Sequence, residues 1–464
     1  MFDCLAQYYR CPERFIRFAC KEPFSSRSGY FQFGEKVTCY GKCSGNQSAE
    51  SPEGKRHDCW SDVEIKDGTA YLPFDPSEIV DNLRHEMYVE EWRHGNPPST
   101  LTRIYYSIRP LLSGGMRRHV QRSYLRGWKA IPFPHWPVDT SVDDLLQQLL
   151  LLAVRSSGNE RVPFIWFWPD GATSCAIMTH DIETTLGQKF CKALMDIDDS
   201  FGMKASLGVV PEERYLVSTD FLTSIRERGF EVVVHDLNHN GCLYRDHKQF
   251  LERASKINAY GREYGADGFR AGVLYRKQLW YDALDFAYDM SVPNVAHLDP
   301  QRGGCCTVMP HFIGNILELP VTTTQDYTLF KILDEYSTSL WKRQIELIME
   351  KHGLMSFIVH PDYIAAPRER GIYEELLCHL ALLREKKGIW ITTPGEVNRW
   401  WRQRAEMRLV YNGQGWQIEG LGKERARIAY ASEEEGHLVL TVQAQAEENS
   451  LCPPNIVTGT TSEN

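Results

Sequence analysis

The sequence lacks any apolar run of the ~18 residues that a membrane-spanning helix requires. Its longest apolar stretch, residues 145–154, is shorter than that and contains two glutamines. The amino terminus also lacks the basic segment followed by an apolar segment that is typical of an export signal. From these absences we expect a soluble protein that is not exported and that resides in the cytoplasm.

An excess of positive charge is also missing. The chain of 464 residues has 52 lysines and arginines against 61 aspartates and glutamates, which gives a formal net charge of −9. Bulk binding of nucleic acid needs a basic surface, so nucleic acid is not an expected partner. With 42% hydrophobic and 24% charged residues, the composition is that of a folded globular protein. The length suggests two or three domains of ~100–200 residues each.

The 13 cysteines show no evident disulfide framework, and in a protein that is not exported we expect them to be reduced thiols. Cys39, Cys43, His57 and Cys59 offer the donor atoms that structural zinc sites use. However, the second pair is poorly spaced, and a segment typical of a loop separates it from the first pair. Scattered buried thiols are therefore the simpler interpretation.

Changes in pattern divide the chain into four predicted parts. They are an irregular N-terminal region of unknown fold (1–160), an α/β part (161–405), a small region of β-hairpins (406–445) and a disordered tail (446–464). The hairpins are predicted because residues alternate in polarity around Gly-rich and Glu-rich turn signals. The tail has little apolar content.

In the α/β part, short apolar runs alternate with amphipathic segments. The predicted strands are residues 174–179, 205–210, 230–234, 268–270, 290–293, 316–321, 355–359 and 389–392. The predicted helices are residues 220–228, 246–264, 277–288, 339–351 and 373–386, and one further helix is predicted before this part at residues 142–155. Such alternation indicates parallel strands with crossover helices. Seven or eight units predict a (β/α) barrel related to the TIM barrel, which takes ~250 residues.

Two polar motifs follow predicted strands. Asp181 and Glu183 follow the first strand at positions of equal parity, so both side chains can project to the same side. His235 and His239 follow the third strand, and two imidazoles four residues apart can share one metal ion. A capping role or an ordinary structural role explains either motif taken singly. Together they predict the site of a metal-dependent hydrolase.

Further ionisable residues follow two other predicted strands. Arg270 ends the fourth strand, and His360 follows the apolar run 357–359. In barrels of this kind the chemistry lies at the carboxyl ends of the strands. Packing alone rarely places several ionisable groups there, because each of them would need its own partner near a buried end. We therefore interpret this convergence as an active site.

In chain order, these motifs resemble those of the polysaccharide deacetylases of carbohydrate esterase family four, which share the NodB homology domain. Residues 179–183 resemble the family's Thr-Phe-Asp-Asp-Gly motif, residues 235–239 its His-x-x-x-His motif, residues 269–272 its arginine motif and residues 358–361 its late histidine motif. The resemblance extends over about half of the chain.

The sequence departs from the family pattern at three places, one of which is that the usual proline two residues after Arg270 is absent. Ile182 stands where the family has its second aspartate, which indicates an Asp-x-Glu variant of the first motif. The family's Asp/Trp motif has no clear equivalent near Asp289 or Asn294.

The resemblance implies a mechanism. Glu183, His235 and His239 would hold a divalent metal ion, with zinc as the expected ion. Asp181 would act as general base on the metal-bound water, Arg270 would orient Asp181, and His360 would protonate the departing amine. The implied reaction is hydrolysis of the acetamide of an N-acetylated sugar or glycan.

Structural roles remain open for these residues, including helix capping for the carboxylates and simple ion pairing for Arg270. His180 points away from the motif by parity and is expected to be structural. Residues 166–168, Trp-Phe-Trp, could stack on sugar rings, although a core position is the simpler interpretation. Four arginines, Arg117, Arg118, Arg122 and Arg126, could contact a phosphate, an acidic glycan or a membrane surface peripherally, although such a run is usually a solvated helix face.

Three other functions remain open. The first is another carbon–nitrogen hydrolase on the same scaffold, acting on a ureide or a cyclic amide. The second is a zincin-like protease, which is disfavoured because Asp236 stands where that motif needs a glutamate. The third is an inactive barrel that binds glycans or serves as a scaffold. The residues give no indication of the oligomeric state.

Overall fold

The computed structural model describes residues 3–35, 37–44, 48–89 and 114–443. The tail predicted at residues 446–464 and the side chains of Arg117 and Arg118 lie outside the described part. No helix among the described residues combines the length and the apolar character that crossing a bilayer requires.

The helices and strands are numbered in chain order. The helices are α1 (Asp3–Tyr9), α2 (Pro76–Arg84), α3 (Gly114–Tyr124), α4 (Ser141–Ser157), α5 (Thr185–Ser200), α6 (Thr219–Glu227), α7 (His247–Tyr264), α8 (Ser339–Met349), α9 (Pro361–Ile364), α10 (Pro367–Lys387) and α11 (Pro394–Glu406). The strands are β1 (Phe18–Cys20), β2 (Gly29–Phe33), β3 (Val37–Gly41), β4 (Glu64–Lys66), β5 (Thr69–Leu72), β6 (Arg161–Ile165), β7 (Cys175–Ile182), β8 (Ala205–Val209), β9 (Glu231–His235), β10 (Gly268–Arg270), β11 (Tyr288–Asp289), β12 (His311–Ile313), β13 (Ile316–Glu318), β14 (Leu354–Ile358), β15 (Trp390–Thr392), β16 (Arg408–Tyr411), β17 (Trp416–Glu419), β18 (Ile428–Glu434) and β19 (His437–Val442).

A nine-stranded sheet forms the centre of the α/β part. Its order is β12-β13-β11-β10-β9-β8-β7-β14, and β15 pairs with the first half of β7. Every pairing is parallel except that of β12 with β13. All eight residues of β7 are buried, as is typical of a parallel strand covered on both faces. The prediction of an α/β fold with parallel strands is confirmed.

The sheet curls without closing. Thr322 and Thr323, which follow β13, donate their hydroxyls to the carbonyls of Leu354 and Ser356 at 2.7 Å each. Side-chain hydrogen bonds thus bridge the gap between the segment after β13 and strand β14. The described residues form a curled half-barrel. The complete barrel of seven or eight units is not seen among them. One physical reason is Pro320, which has no N–H group to offer to a strand ladder.

Helices begin close behind several strand ends. Thr184 caps α5, Ser218 caps α6 and Asp246 caps α7, because each of these side chains accepts a hydrogen bond from a first-turn backbone N–H. These caps fix the path of the chain as it leaves the sheet. They therefore help to position the residues at the strand ends.

Smaller sheets surround the central one. β1, β5 and β4 form one sheet, β2 and β3 form a hairpin, and β16 and β17 form another hairpin. β18 and β19 pair as the predicted second hairpin, and β18 also pairs with β6. Residues 166–168 follow β6 and are at most 3% exposed, so they belong to the core. The twelve cysteines in the described part are free thiols.

Two local predictions were wrong. The helix predicted at residues 277–288 is a short 3-10 turn, Gln278–Ala283, and the chain then enters β11 earlier than predicted. The cause is visible in α7, where Asn258 donates to the carbonyl of Ala283 and accepts from the N–H of Asp285. A side chain thus takes the hydrogen bonds that would have continued the helix.

Candidate active site

The two carboxylates of the first motif lie at the carboxyl end of β7. Asp181 is the penultimate position of the strand, and Glu183 follows its last residue. Asp181 Oδ2 lies 3.7 Å from His235 Nε2, and Glu183 Oε1 lies 3.0 Å from His239 Nε2. Both carboxylates therefore face the histidines, as their equal parity predicts.

The two histidines do not lie on a helix. His235 is the last residue of β9, whereas His239 lies in the following loop. Asp236 and His239 adopt positive φ angles of 58° and 52°, which turn the chain back on itself. The two imidazole centroids are consequently 4.9 Å apart. The four-residue spacing brings the rings together through a loop rather than through a helical turn.

One atom each of Glu183, His235 and His239 forms a compact group in which all three lie within 4.8 Å of one another. His235 Nδ1 lies 3.2 Å from the carbonyl of Arg270, which leaves Nε2 directed toward the group. Within the described part, that buried Nε2 atom has no hydrogen-bond partner. Two imidazoles and a carboxylate are a donor set that suits zinc, and a buried imidazole nitrogen without a hydrogen-bond partner fits the role of a metal ligand.

Arg270 ends β10 and fixes Asp181. It is fully buried, and its Nη1 donates to Asp181 Oδ1 at 2.8 Å and to Thr179 Oγ1 at 2.7 Å. Its Nε donates to the carbonyl of Met290 at 2.9 Å. Burial alone would raise the pKa of Asp181, but the charge of Arg270, aided by nearby imidazoles, outweighs burial and lowers that pKa to about 2.

His360 follows β14 and faces the same group from the other side. Its Nε2 lies 3.6 Å from Glu183 Oε1. Its Nδ1 lies 2.6 Å from Asp326 Oδ1, and its backbone N–H donates to the other oxygen of Asp326 at 2.7 Å. Burial would lower the pKa of His360, but the carboxylate of Asp326 outweighs burial and raises that pKa well above its usual range.

Asp326 was not predicted from the sequence. It lies in the loop after β13, 34 residues before its partner, and it is fully buried. No motif singles it out, and the only signal is an aspartate behind a strand that reaches the same edge of the sheet. Asp289 and Asn294, the positions near which the family's Asp/Trp motif has no clear equivalent, have other partners. Asp289 accepts from Tyr281 and Ser291, and Asn294 contacts Asp139.

Charge interactions link the remaining members of the group. Burial would raise the pKa of Glu183, but the imidazoles of His239 and His360 hold it well below its usual range. Burial likewise would lower the pKa of His239, but Glu183 outweighs it and raises that pKa. For His235 burial is decisive and lowers the pKa, which favours the neutral imidazole that can bind a metal ion.

Glycines allow close approach around the site. A Cβ atom on Gly272 would lie 2.5 Å from Asp236 Oδ2 and 2.9 Å from His239 Cδ2. A Cβ atom on Gly208 would lie 3.0 Å from Asp181 Oδ1. Both positions therefore need a residue without a side chain.

A small open cavity of about 30 Å³ lies next to the segment that carries Asp326. It is lined by Trp136 and Leu274 together with Asp299, Thr324 and Gln325, among others. Gln325 directly precedes Asp326, and Leu274 packs against Ile358 near the end of β14. Asp326 itself and the metal-binding group are not among the lining residues.

Other residues singled out in the sequence lie elsewhere. His180 is fully buried between the carbonyl of Val359, 2.9 Å from its Nδ1, and Asp198, 3.0 Å from its Nε2. Arg122 donates to the carbonyl of Lys331, and Arg126 is exposed. Neither arginine is among the residues that form the site.

Comparison with known proteins gives only distant likenesses. No protein-family profile and no curated protein matches the sequence. Among solved structures, a proposed polysaccharide deacetylase from Mycobacterium smegmatis is 16% identical, with a TM-score of 0.40 over 51% of this chain and 93% of that chain. Puue allantoinase is 12% identical, with a TM-score of 0.38 over 51% and 92%. The peptidoglycan deacetylase PdaC from Bacillus subtilis is 10% identical, with a TM-score of 0.32 over 49% and 90%. Likenesses this weak carry no conclusion about activity.

Proposed function

We propose that the protein is a metal-dependent hydrolase that removes the acetyl group from an N-acetylated sugar or glycan. The observation that carries the proposal is the compact group of Glu183, His235 and His239, flanked by the Asp181–Arg270 and His360–Asp326 pairs. A metal-binding group with a buried carboxylate on one side and an imidazole on the other is the equipment that amide hydrolysis needs.

Asp181 serves as the general base. Its Oδ1 atom is held by Arg270, so Oδ2 is the oxygen that remains to accept a proton from the attacking water. The positive charge of Arg270 keeps Asp181 ionised, and its hydrogen bond keeps Asp181 correctly oriented. Proton transfer by a group positioned in this way typically contributes ~10²–10⁴-fold to the rate.

His360 serves as the general acid. Asp326 holds Nδ1, which leaves Nε2 directed toward the shared group and able to donate a proton to the departing amine. The base and the acid thus act from opposite sides of the metal-binding group.

The metal ion is part of the same proposal. Glu183, His235 and His239 would hold a divalent ion, with zinc as the ion that their donor atoms suit best. A bound ion of this kind supplies Lewis-acid chemistry, which polarises an amide carbonyl and makes water a better nucleophile near neutral pH.

The substrate class rests on the resemblance of the motifs to those of the polysaccharide deacetylases, with the cavity beside Asp326 in support. We assign one edge of the sugar to the open mouth of that cavity, with Trp136 as the stacking surface and Gln325 and Asp299 as hydrogen-bonding groups.

The test is acetate release from N-acetylhexosamine oligomers, measured together with the appearance of a free amine and with the metal content of the purified protein. Acetate release should stop in excess chelator and return when zinc or another divalent ion is added. Full activity in excess chelator after dialysis, with no metal retained, would contradict the proposal.

The same assay separates the rival functions. Ring opening of a cyclic amide or hydrolysis of a ureide, without acetate release from the sugar, would favour the other carbon–nitrogen hydrolase. Glycan binding without metal and without turnover would favour an inactive scaffold.

A further inference from the structure

A second group of metal-binding side chains lies in the N-terminal region. One donor atom each of His57, Cys59 and Asp62 lies within 4.8 Å of the others. His57 Nε2 lies 2.6 Å from Asp62 Oδ2, and these two side chains are 26% and 37% exposed. The Cys59 side chain is fully buried. Nitrogen, sulfur and oxygen donors thus converge where the protein surface meets the core.

Cys43 is a neighbour of this group, although it is not among the three residues whose donor atoms all lie within 4.8 Å of one another. Its thiol shares a hydrogen bond with the thiol of Cys59, and both residues are fully buried. Two thiols beside a histidine and an aspartate are more than the scattered buried cysteines that the sequence suggested.

The backbone holds the group in place. Cys59–Asp62 forms a 3-10 turn that Asp58 caps by accepting from the N–H of Trp60. The same Asp58 side chain accepts from the N–H of Gly34, and the carbonyl of His57 accepts from the N–H of Gln32 in β2. The turn is thus attached to the β2–β3 hairpin, and Cys43 lies just after β3.

We propose that Cys43, His57, Cys59 and Asp62 bind a divalent transition-metal ion of the zinc type, which fastens the Cys59–Asp62 turn to the β2–β3 hairpin. Four protein donors leave no open position for substrate, so the role is structural. Mixed sulfur and nitrogen donors favour zinc over magnesium or calcium, which take oxygen donors. This site is independent of the proposed deacetylase site, because it shares no residue with it.

Cobalt substitution distinguishes the two sites. A thiolate bound to Co²⁺ gives a sulfur-to-metal charge-transfer absorption, which the Glu183, His235 and His239 group cannot give because it has no sulfur. The full chain loaded with Co²⁺ should therefore show this absorption. His239→Ala should keep it, and the double variant that combines Cys43→Ser with Cys59→Ser should lose it together with one bound metal ion. Cys20→Ser is the control for loss of a thiol, since Cys20 is a partly buried cysteine of the same region whose thiol donates to the carbonyl of Phe74.

Several outcomes would overturn the proposal. Absence of the absorption in the cobalt-loaded wild type is one, including the case in which Cys43 and Cys59 are found as a disulfide. Persistence of the absorption in the folded double variant is another. If the double variant does not fold, Asp62→Asn decides, because its side chain is 37% exposed and can be changed mildly. It should keep the absorption and bind Co²⁺ at least tenfold more weakly than Cys20→Ser, and equal affinity would contradict the assignment.

Discussion

The guanidinium group of Arg270 positions Asp181, the general base of the proposed reaction. Arg270 donates to Asp181 and Thr179, both in β7, and to the carbonyl of Met290 directly after β11, so its position is fixed by two segments of the sheet besides its own strand. Asp181 is therefore held through one oxygen while the other remains available. Among the described residues, Glu183, two residues later, pairs with the imidazoles of His239 and His360 and with no arginine. The two carboxylates are chemically alike, but their neighbours give them different tasks.

This difference gives the first prediction. Asp181→Asn should lower turnover by roughly 10²–10⁴-fold, because the base is lost. Its metal content should stay close to that of the wild type. Glu183→Gln should instead weaken metal retention by at least ~10–100-fold, the loss typical even of residues that only support a ligand. Metal analysis after dialysis, combined with kcat, separates the two. The reverse pattern would show that Asp181 is the ligand.

The second prediction concerns the acid. His360→Ala should lower kcat by roughly 10²–10⁴-fold. Asp326→Asn should lower kcat less, because the ring remains but loses its anionic partner. The control is Asp198→Asn, which changes the same kind of buried histidine–aspartate pair away from the site, at His180. That variant should lose stability while its folded fraction keeps the wild-type kcat. Equal kcat losses in both aspartate variants would mean that Asp326 has only a structural role.

Residue identities predicted most of this site but not all of it. Asp181, Glu183, His235, His239, Arg270 and His360 each follow an apolar run, and the structure brings all six together at one edge of the sheet. Asp326 was not predicted because the apolar run before it is interrupted by Pro320. It also lies in a segment whose path depends on tertiary contacts. Sequence periodicity contains no information about such a path.

At the scale of elements, parallel strands explain why residues from distant positions meet. The carboxyl ends of β7, β9, β10 and β14 lie at the same edge, and Arg270 and His235 are direct neighbours in register. The loops beyond these ends then have to pass close to one another. Gly272 lies where the loop after β10 crosses the loop that carries His239.

The third prediction follows from this crossing. Gly272→Ala places a methyl group against Asp236 and His239, so it should displace His239 and reduce both metal retention and kcat. Gly371→Ala is the matched control, because no atom lies within 4 Å of the position of its Cβ in α10. The control should keep activity and gain up to ~1 kcal/mol of stability from improved helix propensity. Metal content and kcat of the two variants, measured side by side, test the prediction, and equal values would refute it.

The fourth prediction concerns a buried pair of acids on neighbouring strands. Asp289 in β11 and Glu318 in β13 are direct partners in register. Burial, and next the charge of Asp289, raise the pKa of Glu318 well above its usual range. The folded state therefore binds a proton more tightly than the unfolded state does. Stability should be highest near the ordinary glutamate pKa of about 4.3 and should fall as pH rises toward the raised value.

Glu318→Gln should flatten this decline, because its amide cannot become charged. Urea midpoints measured from pH 4 to pH 8 check this expectation, with the exposed Glu252→Gln as the control. A decline in Glu318→Gln as steep as that in the control would show that the acid pair does not govern the pH dependence.

Helices and strands were predicted correctly where one strong pattern of apolar residues dominates the sequence. The strands at residues 205–210 and 268–270 and the helices at 246–264 and 142–155 match β8, β10, α7 and α4 within two residues at either end. The antiparallel strand β12 and the helix α5 were not predicted. β12 has only three residues, and α5 begins directly behind the first polar motif, where its cap Thr184 looks like part of that motif.

At the scale of the whole molecule, the two ends of the chain share a core. One hydrophobic cluster joins α1, β2 and β3 with α4, β6, α11 and β18. Arg404 in α11 is fully buried and donates to the carbonyls of Tyr8, Ile165 and Trp166, which tie three distant segments together. The sequence could not predict this arrangement, because the contacts span more than 200 residues and follow no periodic pattern.

The N-terminal region also contacts the loop after β10 through a buried ion pair. Glu86, just after α2, receives hydrogen bonds from the guanidinium of Arg276 and from the backbone N–H of Gly304. Arg276 in turn donates to the carbonyl of Leu274, which lines the cavity next to the segment that carries Asp326. The exposed fractions of the two charged side chains are 2% and 0%. The pair thus holds the loop after β10 against the N-terminal region.

The fifth prediction tests this coupling. Glu86→Gln removes the negative partner and leaves a charged guanidinium buried, which typically costs ~3–5 kcal/mol. Glu433→Gln makes the same chemical change in the Arg155 pair, whose side chains are about one-third exposed, and it should cost less than ~1 kcal/mol. Urea unfolding of both variants measures the difference. Since Arg276 supports the cavity wall, Glu86→Gln should also raise KM for the glycan more than it lowers kcat. Similar free energies of unfolding in the two variants would show that the N-terminal region and the site are not coupled through Glu86.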